Sequence, residues 1–248
     1  RGWLQTAYQI RVALNSADLA AGKALIWDSG KTASDSSIHQ IYGGPALQTG
    51  KRYYWQVRCW SHQGEASDWS EPAWWEMGLL STAEWQASWI QPELAPAEKV
   101  LGVVPLLRKE FDVKGTIESA RLYVTSLGLY EAFLNGQRIG DQVMTPGWTA
   151  YEKRLQYQTY DVTNQLHAGA NAIGMMVADG WYRGRIARQS YEDKTAALLQ
   201  LQIVFKDGSR QTVLTDATWK STSGPILMSE IYNGETYDAR LEMPGWDC

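Results

Sequence analysis

A chain of 248 residues has room for two ordinary domains, and its net charge of -4 comes without any run of Lys or Arg, so nucleic acid is excluded as a partner. No stretch approaches the roughly 18 uninterrupted apolar residues of a membrane-spanning helix, and two distant cysteines, Cys59 and Cys248, give neither a disulfide framework nor a zinc spacing and leave the compartment open. The informative bias is 13 Trp and 13 Tyr against 3 Phe, because aromatics with a polar handle suit sugar-binding surfaces as well as the cores of β-sandwiches.

Alternating runs bounded by Gly, Pro, Asn and Asp recur from end to end, and a period of two marks half-buried strands. Residues 7–13 alternate, as do residues 52–60. Between them, residues 16–25 suit one short helical turn. Residues 47–58 resemble the fibronectin type III pattern, in which a Leu, a turn Gly and a Tyr make the corner leading into a penultimate strand. Residues 69–77 then suit the final strand. About five strands fit before Gly78 where such a module needs about seven, so the first strands are expected upstream of Arg1. The first domain is therefore read as an incomplete fibronectin type III-like sandwich over residues 1–78. Residues 79–99 read as a linker, interrupted by Pro92 and Pro96 and anchored by Trp85 and Trp89.

The second domain, residues 100–242, shows strand patterns at 106–113, 119–126, 129–136, 156–162, 171–177, 198–205 and 211–215. The third of these ends on Asn135-Gly136, a strong hairpin signal, and Asp207-Gly208 turns the last pair. Antiparallel strands with long irregular loops predict a jelly-roll β-sandwich, and the whole chain is all-β. Residues 243–248 read as the start of a connection to a further domain. With no initiator Met and an abrupt end at Cys248, the sequence reads as a portion of a longer protein.

Five segments occur here in an order that resembles the amino-terminal region of bacterial α-L-rhamnosidases. They are Leu134-Asn-Gly136, Thr145-Pro-Gly-Trp-Thr149, Tyr157-Gln-Thr-Tyr-Asp-Val162, Asp179-Gly-Trp-Tyr-Arg-Gly184 and Tyr232-Asn-Gly-Glu-Thr-Tyr-Asp-Ala-Arg240. The first domain is similar to the fibronectin-like module that precedes this region in that family. The resemblance covers nearly the whole chain. It implies a multidomain glycoside hydrolase that removes terminal α-linked L-rhamnose with inversion, acting on a rhamnose-containing glycan or glycoside. It also implies that the catalytic carboxylates reside in a helical (α/α) domain following the sandwiches. This sequence has no run of amphipathic helices, so the portion is expected to be non-catalytic and no catalytic residue is assigned. The alternatives are a stand-alone carbohydrate-binding module and an accessory domain of another exo-glycosidase.

Candidate sugar contacts follow from side-chain chemistry. Trp181 or Tyr182 can stack a sugar face while Asp179 and Arg183 offer an acceptor and a donor fork to vicinal hydroxyls. The turn at residues 145–151 adds Trp148 and Tyr151. The competing reading has the flanking glycines shaping a turn and Arg183 tied to a core carboxylate. Asn233, Glu235 and Asp238 fall within a short span. They are candidate oxygen ligands for calcium, or a latch onto a neighbouring domain, with Arg240 pairing Asp238 or Glu235 as the structural alternative. No cofactor is required for the expected chemistry.

Overall fold

The computed structural model describes residues 2, 4–94, 102–184 and 194–248. The chain divides into two compact units, Arg1–Trp85 and Gln86–Cys248, both built almost wholly of antiparallel strands.

In the first unit, β1 (Gln5–Ala13) is followed by α1 (Ser16–Ala21). Asn15 caps the start of α1 by accepting the Asp18 N–H, and Gly22 closes its end in the left-handed region. Then come β2 (Trp27–Asp28), β3 (Thr32–Ala33), β4 (Arg52–Ser61) and β5 (Ala73–Glu76). They form one 5-stranded sheet ordered β2-β1-β4-β5, with β3 also pairing β1. The expected corner is present: the Tyr53 hydroxyl accepts the Gln48 N–H at 2.9 Å, the tie that fixes such corners in immunoglobulin-type sandwiches. The last strand is shorter than its pattern, because Pro72 has no N–H for the ladder. Ser70 instead bonds Val57 through both its backbone and its hydroxyl.

One face of this sheet carries interleaved cations and indoles. Lys31 lies 4.8 Å over Trp60, Arg58 4.9 Å from Trp60 and 4.7 Å from Trp69, and Arg11 4.3 Å from Trp69. Asp28 ends the series by pairing Arg11 at 3.0 Å. Each such contact contributes about 0.5–1 kcal/mol at exposed sites. These Trp residues are thus structural.

The second unit is a two-sheet sandwich. Its strands are β6 (Pro105–Val113), β7 (Ile117–Leu127), β8 (Leu129–Leu134), β9 (Gln137–Arg138), β10 (Gln158–Asp161), β11 (Gly169–Ala178), β12 (Ala196–Phe205), β13 (Arg210–Leu214) and β14 (Lys220–Ser223). One sheet is ordered β10-β7-β12-β13 and the other β14-β6-β11-β8-β9. Most consecutive strands cross from one sheet to the other, as in a jelly roll. Leu122, Val124, Leu199 and Leu201 of the first sheet meet Leu107, Leu134, Ile173 and Met175 of the second in one buried core. A separate hairpin, β15 (Ile226–Glu230) with β16 (Gly234–Tyr237), follows.

Residues 86–94, read from sequence as part of a connector, run along the second unit. The Ser88 N–H donates to the Thr215 carbonyl, Ile90 bridges Ala197, and the Glu93 N–H donates to the Ser221 hydroxyl at 2.9 Å. Residues 95–99 of that connector lie outside the described residues. The segment 243–248 also packs on this unit. The Trp246 indole covers Gly174 so closely that a Cβ there would lie 2.6 Å from it, which is why a strand interior carries a glycine at this point. Phe133 meets the same indole edge-on at 5.5 Å.

The β8–β9 turn explains its Asn-Gly. Both residues are left-handed, with φ of 51° at Asn135 and 76° at Gly136, as a two-residue hairpin demands. The Asn135 amide also donates to the Gln165 carbonyl and to Asn171 Oδ1, both at 2.8 Å, and accepts the Ala172 N–H at 2.9 Å. Asn135→Ala is expected to destabilise the unit by about 2–4 kcal/mol, ~1 for each bond plus about 1 for the strained φ. Asn135→Gly removes the strain and should cost measurably less. Chemical denaturation of the two variants checks this, and equal losses would refute the role given to φ.

Candidate functional site

Two motifs far apart in sequence meet at the end of β11. After Ala178 the chain turns through Asp179 into α2 (Gly180–Arg183). Gly180 has φ of 53°, and a Cβ there would lie 2.4 Å from Leu129 Cγ, so the tight exit from the strand requires glycine. The second motif is the loop after β9, pinned to β8 from both sides. The Tyr130 N–H donates to the Thr145 carbonyl and the Thr145 hydroxyl donates to the Tyr130 carbonyl, each at 2.9 Å. This holds Trp148 parallel to Trp181, with ring centroids 5.8 Å apart and planes 5° from parallel. One turn on, Tyr151 meets Tyr182 edge-to-face at 5.1 Å.

The six candidate sugar contacts therefore assemble, but at different depths. Trp148 is 55% exposed and its ring is open to solvent, while Trp181 is half-buried against it. Tyr151 and Tyr182 are buried beneath the indoles, and Asp179 is only 1% exposed. Arg183 Nη1 lies 3.4 Å from Asp179 Oδ1, with both side chains largely out of water. Tyr151, Tyr182 and Asp179 thus lie in the interior of the unit, whereas Trp148 presents its ring at the surface. Arg183 thus faces a buried carboxylate.

Electrostatics mark the same spot. Burial pushes the Asp179 carboxyl up to about 6, the Arg183 guanidinium partly offsets this, and the negative charge of Glu230 adds to it. Sequence reading missed Glu230, a buried carboxylate at the end of β15. One of its oxygens accepts the N–H groups of Tyr232 and Asn233 at 3.0 and 2.9 Å. The only sequence trace of this is a Glu placed just ahead of a Tyr-Asn-Gly turn.

The second candidate set does not converge. Asn233 sits in the exposed turn of the β15–β16 hairpin, and Glu235 is exposed on β16 opposite Ser229. The Asp238 carboxylate is held by Arg240 through its Nε at 2.8 Å and its Nη2 at 2.6 Å. Among the described residues no three His, Cys, Asp or Glu side chains are grouped to hold a metal ion.

The Asp179 carboxyl has a thermodynamic consequence whose sign is fixed. Its folded-state value near 6 lies above the ordinary 3.8, so between these pH values the folded chain holds a proton that the unfolded chain releases. Stability contributed by this group therefore falls as pH rises from about 4 to 6 and is level above that. Asp179→Asn should lack this component. Denaturant midpoints taken across that range are expected to shift progressively in favour of the variant, and parallel profiles would contradict the assignment.

Comparison with known proteins gives the family. Residues 115–248 match the model for the alpha-L-rhamnosidase N-terminal domain, and residues 1–81 match the Rha78A-like N-terminal immunoglobulin domain. An alpha-L-rhamnosidase of Formosa agariphila is 42% identical over 98% of this chain, which spans 27% of that relative. Among solved structures, the alpha-L-rhamnosidase from Dictyoglumus thermophilum is 35% identical with a TM-score of 0.85, covering 100% of this chain and 29% of that one. The Streptomyces avermitilis alpha-L-rhamnosidase, solved in complex with L-rhamnose, is 27% identical with a TM-score of 0.88, covering 99% and 40%. The chain belongs to the alpha-L-rhamnosidase family and carries its amino-terminal region, an immunoglobulin-like domain followed by the rhamnosidase N-terminal domain.

Proposed function

We propose that this chain is the non-catalytic front portion of an inverting α-L-rhamnosidase that removes terminal α-L-rhamnose from glycosides or polysaccharides. In this reading the acid and base belong to a helical domain of the same polypeptide, which the two sandwiches support. The observation that carries it is the match to rhamnosidases across 98% of this chain but only 27% of the relative, combined with an all-strand architecture. Among the described residues the longest α-helix is α1, with 6 residues. The carboxylates also argue against a local catalytic centre. An inverting pair stands roughly 6.5–9.5 Å apart across an open site with room for water, whereas Asp179 is buried and Glu235 is exposed on a hairpin.

The exposed Trp148 face, backed by Trp181, supports a contribution to sugar contact. An indole held flat by a second indole is a pre-formed platform for a pyranose ring, and its rigidity lowers the entropy lost on binding. Calcium enters this reading only as a ligand of the exposed hairpin, and Asp238, already held by Arg240, is a poor donor for it.

Two measurements test the proposal. The purified 248-residue chain is expected to release no rhamnose from an aryl rhamnoside under conditions where the full-length protein does, and turnover by the chain alone would overturn it. For sugar contact, any affinity for L-rhamnose seen by titration calorimetry should fall about fivefold or more in Trp148→Ala and Trp181→Ala, the worth of about 1 kcal/mol of stacking. Unchanged heats would remove both residues from the sugar surface.

A further inference from the structure

Four places in the chain join Asn or Asp to Gly: Asn135-Gly136, Asp179-Gly180, Asp207-Gly208 and Asn233-Gly234. In such pairs the glycine nitrogen can reach the side-chain carbonyl carbon of the residue before it, because no Cβ hinders the approach. The fold disarms three of the four. At Asn135 the side-chain amide is tied at both ends, donating to the Gln165 carbonyl and to Asn171 Oδ1 and accepting the Ala172 N–H. The nitrogen that would attack it, that of Gly136, donates its own proton to the Asp247 carbonyl at 3.0 Å. Asp179 is 1% exposed, and Gly180 is wedged against Leu129. One oxygen of Asp207 accepts the N–H and the hydroxyl of Ser209 at 2.9 and 2.6 Å. These bonds favour the ionised form, and a carboxylate repels a nucleophile.

The fourth place is open. Asn233 and Gly234 are both exposed at the β15–β16 turn, and a Cβ on Gly234 would meet nothing within 4 Å. Among the described residues no hydrogen bond engages the Asn233 side-chain amide, while its backbone N–H donates to Glu230 Oε2 at 2.9 Å. We propose that Asn233 is a site of spontaneous deamidation, a covalent modification that changes the charge of the hairpin turn. The Gly234 nitrogen gives its proton to solvent base and bonds to Asn233 Cγ. The Cγ–Nδ2 bond breaks, Nδ2 takes up a proton and leaves as ammonia, and a cyclic imide remains. Water opens the imide at either carbonyl, giving Asp by one route and isoaspartate by the other. The reaction consumes one water and releases one ammonia, with no change of oxidation state. Both products place a new carboxylate on the residue whose N–H, with that of Tyr232, holds Glu230. Like charges at this distance repel. Isoaspartate also lengthens the backbone and displaces Gly234 from its register opposite Glu230. The modified turn therefore loosens its hold on Glu230. This inference stands apart from the rhamnosidase reading.

One digest reads both the site and its control. Tryptic peptides 122–138 and 221–240 each contain a single Asn, Asn135 in the first and Asn233 in the second. The full-length protein is aged at mildly alkaline pH, native and in denaturant, and each peptide is scored by mass spectrometry for loss of the amide and by enzymatic methyl transfer for isoaspartate. In the native protein Asn233 should convert about a hundredfold faster than Asn135, the cost of freeing three hydrogen bonds. In denaturant the two rates should converge. An Asn233 peptide that stays intact in the native protein while converting in denaturant overturns the proposal, and so do equal native rates at the two sites. Asn233→Gln, whose extra methylene makes ring closure slow, should abolish the native conversion, and persistence of the signal in that variant would place the reaction elsewhere. The effect on Glu230 is read by hydrogen exchange across residues 231–234. Exchange should be faster in the deamidated fraction and in Asn233→Asp than in unaged protein, and unchanged exchange in both overturns the loosened hold on Glu230.

Discussion

A β-sheet with one apolar face must bury that face, and this requirement governs both halves of the molecule. In the second unit two sheets satisfy it for each other, so Leu122 and Leu199 are sealed against Leu134 and Ile173. The remaining features of that unit sit on this rigid support: the Asn135 turn, the Trp246 cover and the paired indoles. In the first unit arginines and indoles cover the polar face, while the apolar face carries a groove of about 460 Å³ floored by residues such as Tyr8, Ile10, Trp55 and Val57.

The aromatic richness that first suggested sugar binding divides by location. Trp60 and Trp69 serve as plates between cations. Trp246 fills the place of a missing side chain at Gly174. Tyr53 stacks on Trp75 while its hydroxyl holds the corner. The Trp148–Trp181 pair combines a stacked ring with an open face. An indole is useful in each of these places for the same reason: it offers a large apolar area with little side-chain entropy to lose.

Several strands were legible in the sequence almost to their ends: β4 and β7 through their alternation, and β11 and β12 through apolar runs that are buried nearly throughout. The corner at Tyr53 and the turn at Asn135-Gly136 were legible because φ and hydrogen-bond geometry select those residue types. The polar strand β14, Lys220–Ser223, was not. It lies at a sheet edge against β6, where pairing comes from the backbone and leaves no hydrophobic pattern. The β15–β16 hairpin escaped for a related reason, since β16 is exposed along its whole length. At the candidate site the sequence pointed to residues that the fold brings close together, but it did not reveal their depth. Asp179 and Tyr182 have the composition of a binding loop, and their burial depends on Leu129, Tyr151 and Glu230 arriving from other parts of the chain.

Glu230 ties together two regions that look separate. One of its oxygens organises the exposed turn at Tyr232 and Asn233, while its charge is felt by the Asp179 carboxyl beneath the indoles. The hairpin turn and the Asp179 carboxyl are therefore electrostatically linked. Any event that draws Glu230 away from the interior lowers the proton affinity of Asp179, and by reciprocity the protonation state of Asp179 biases how firmly Glu230 holds the turn. A surface turn and an interior carboxyl are thus linked through the charge of Glu230.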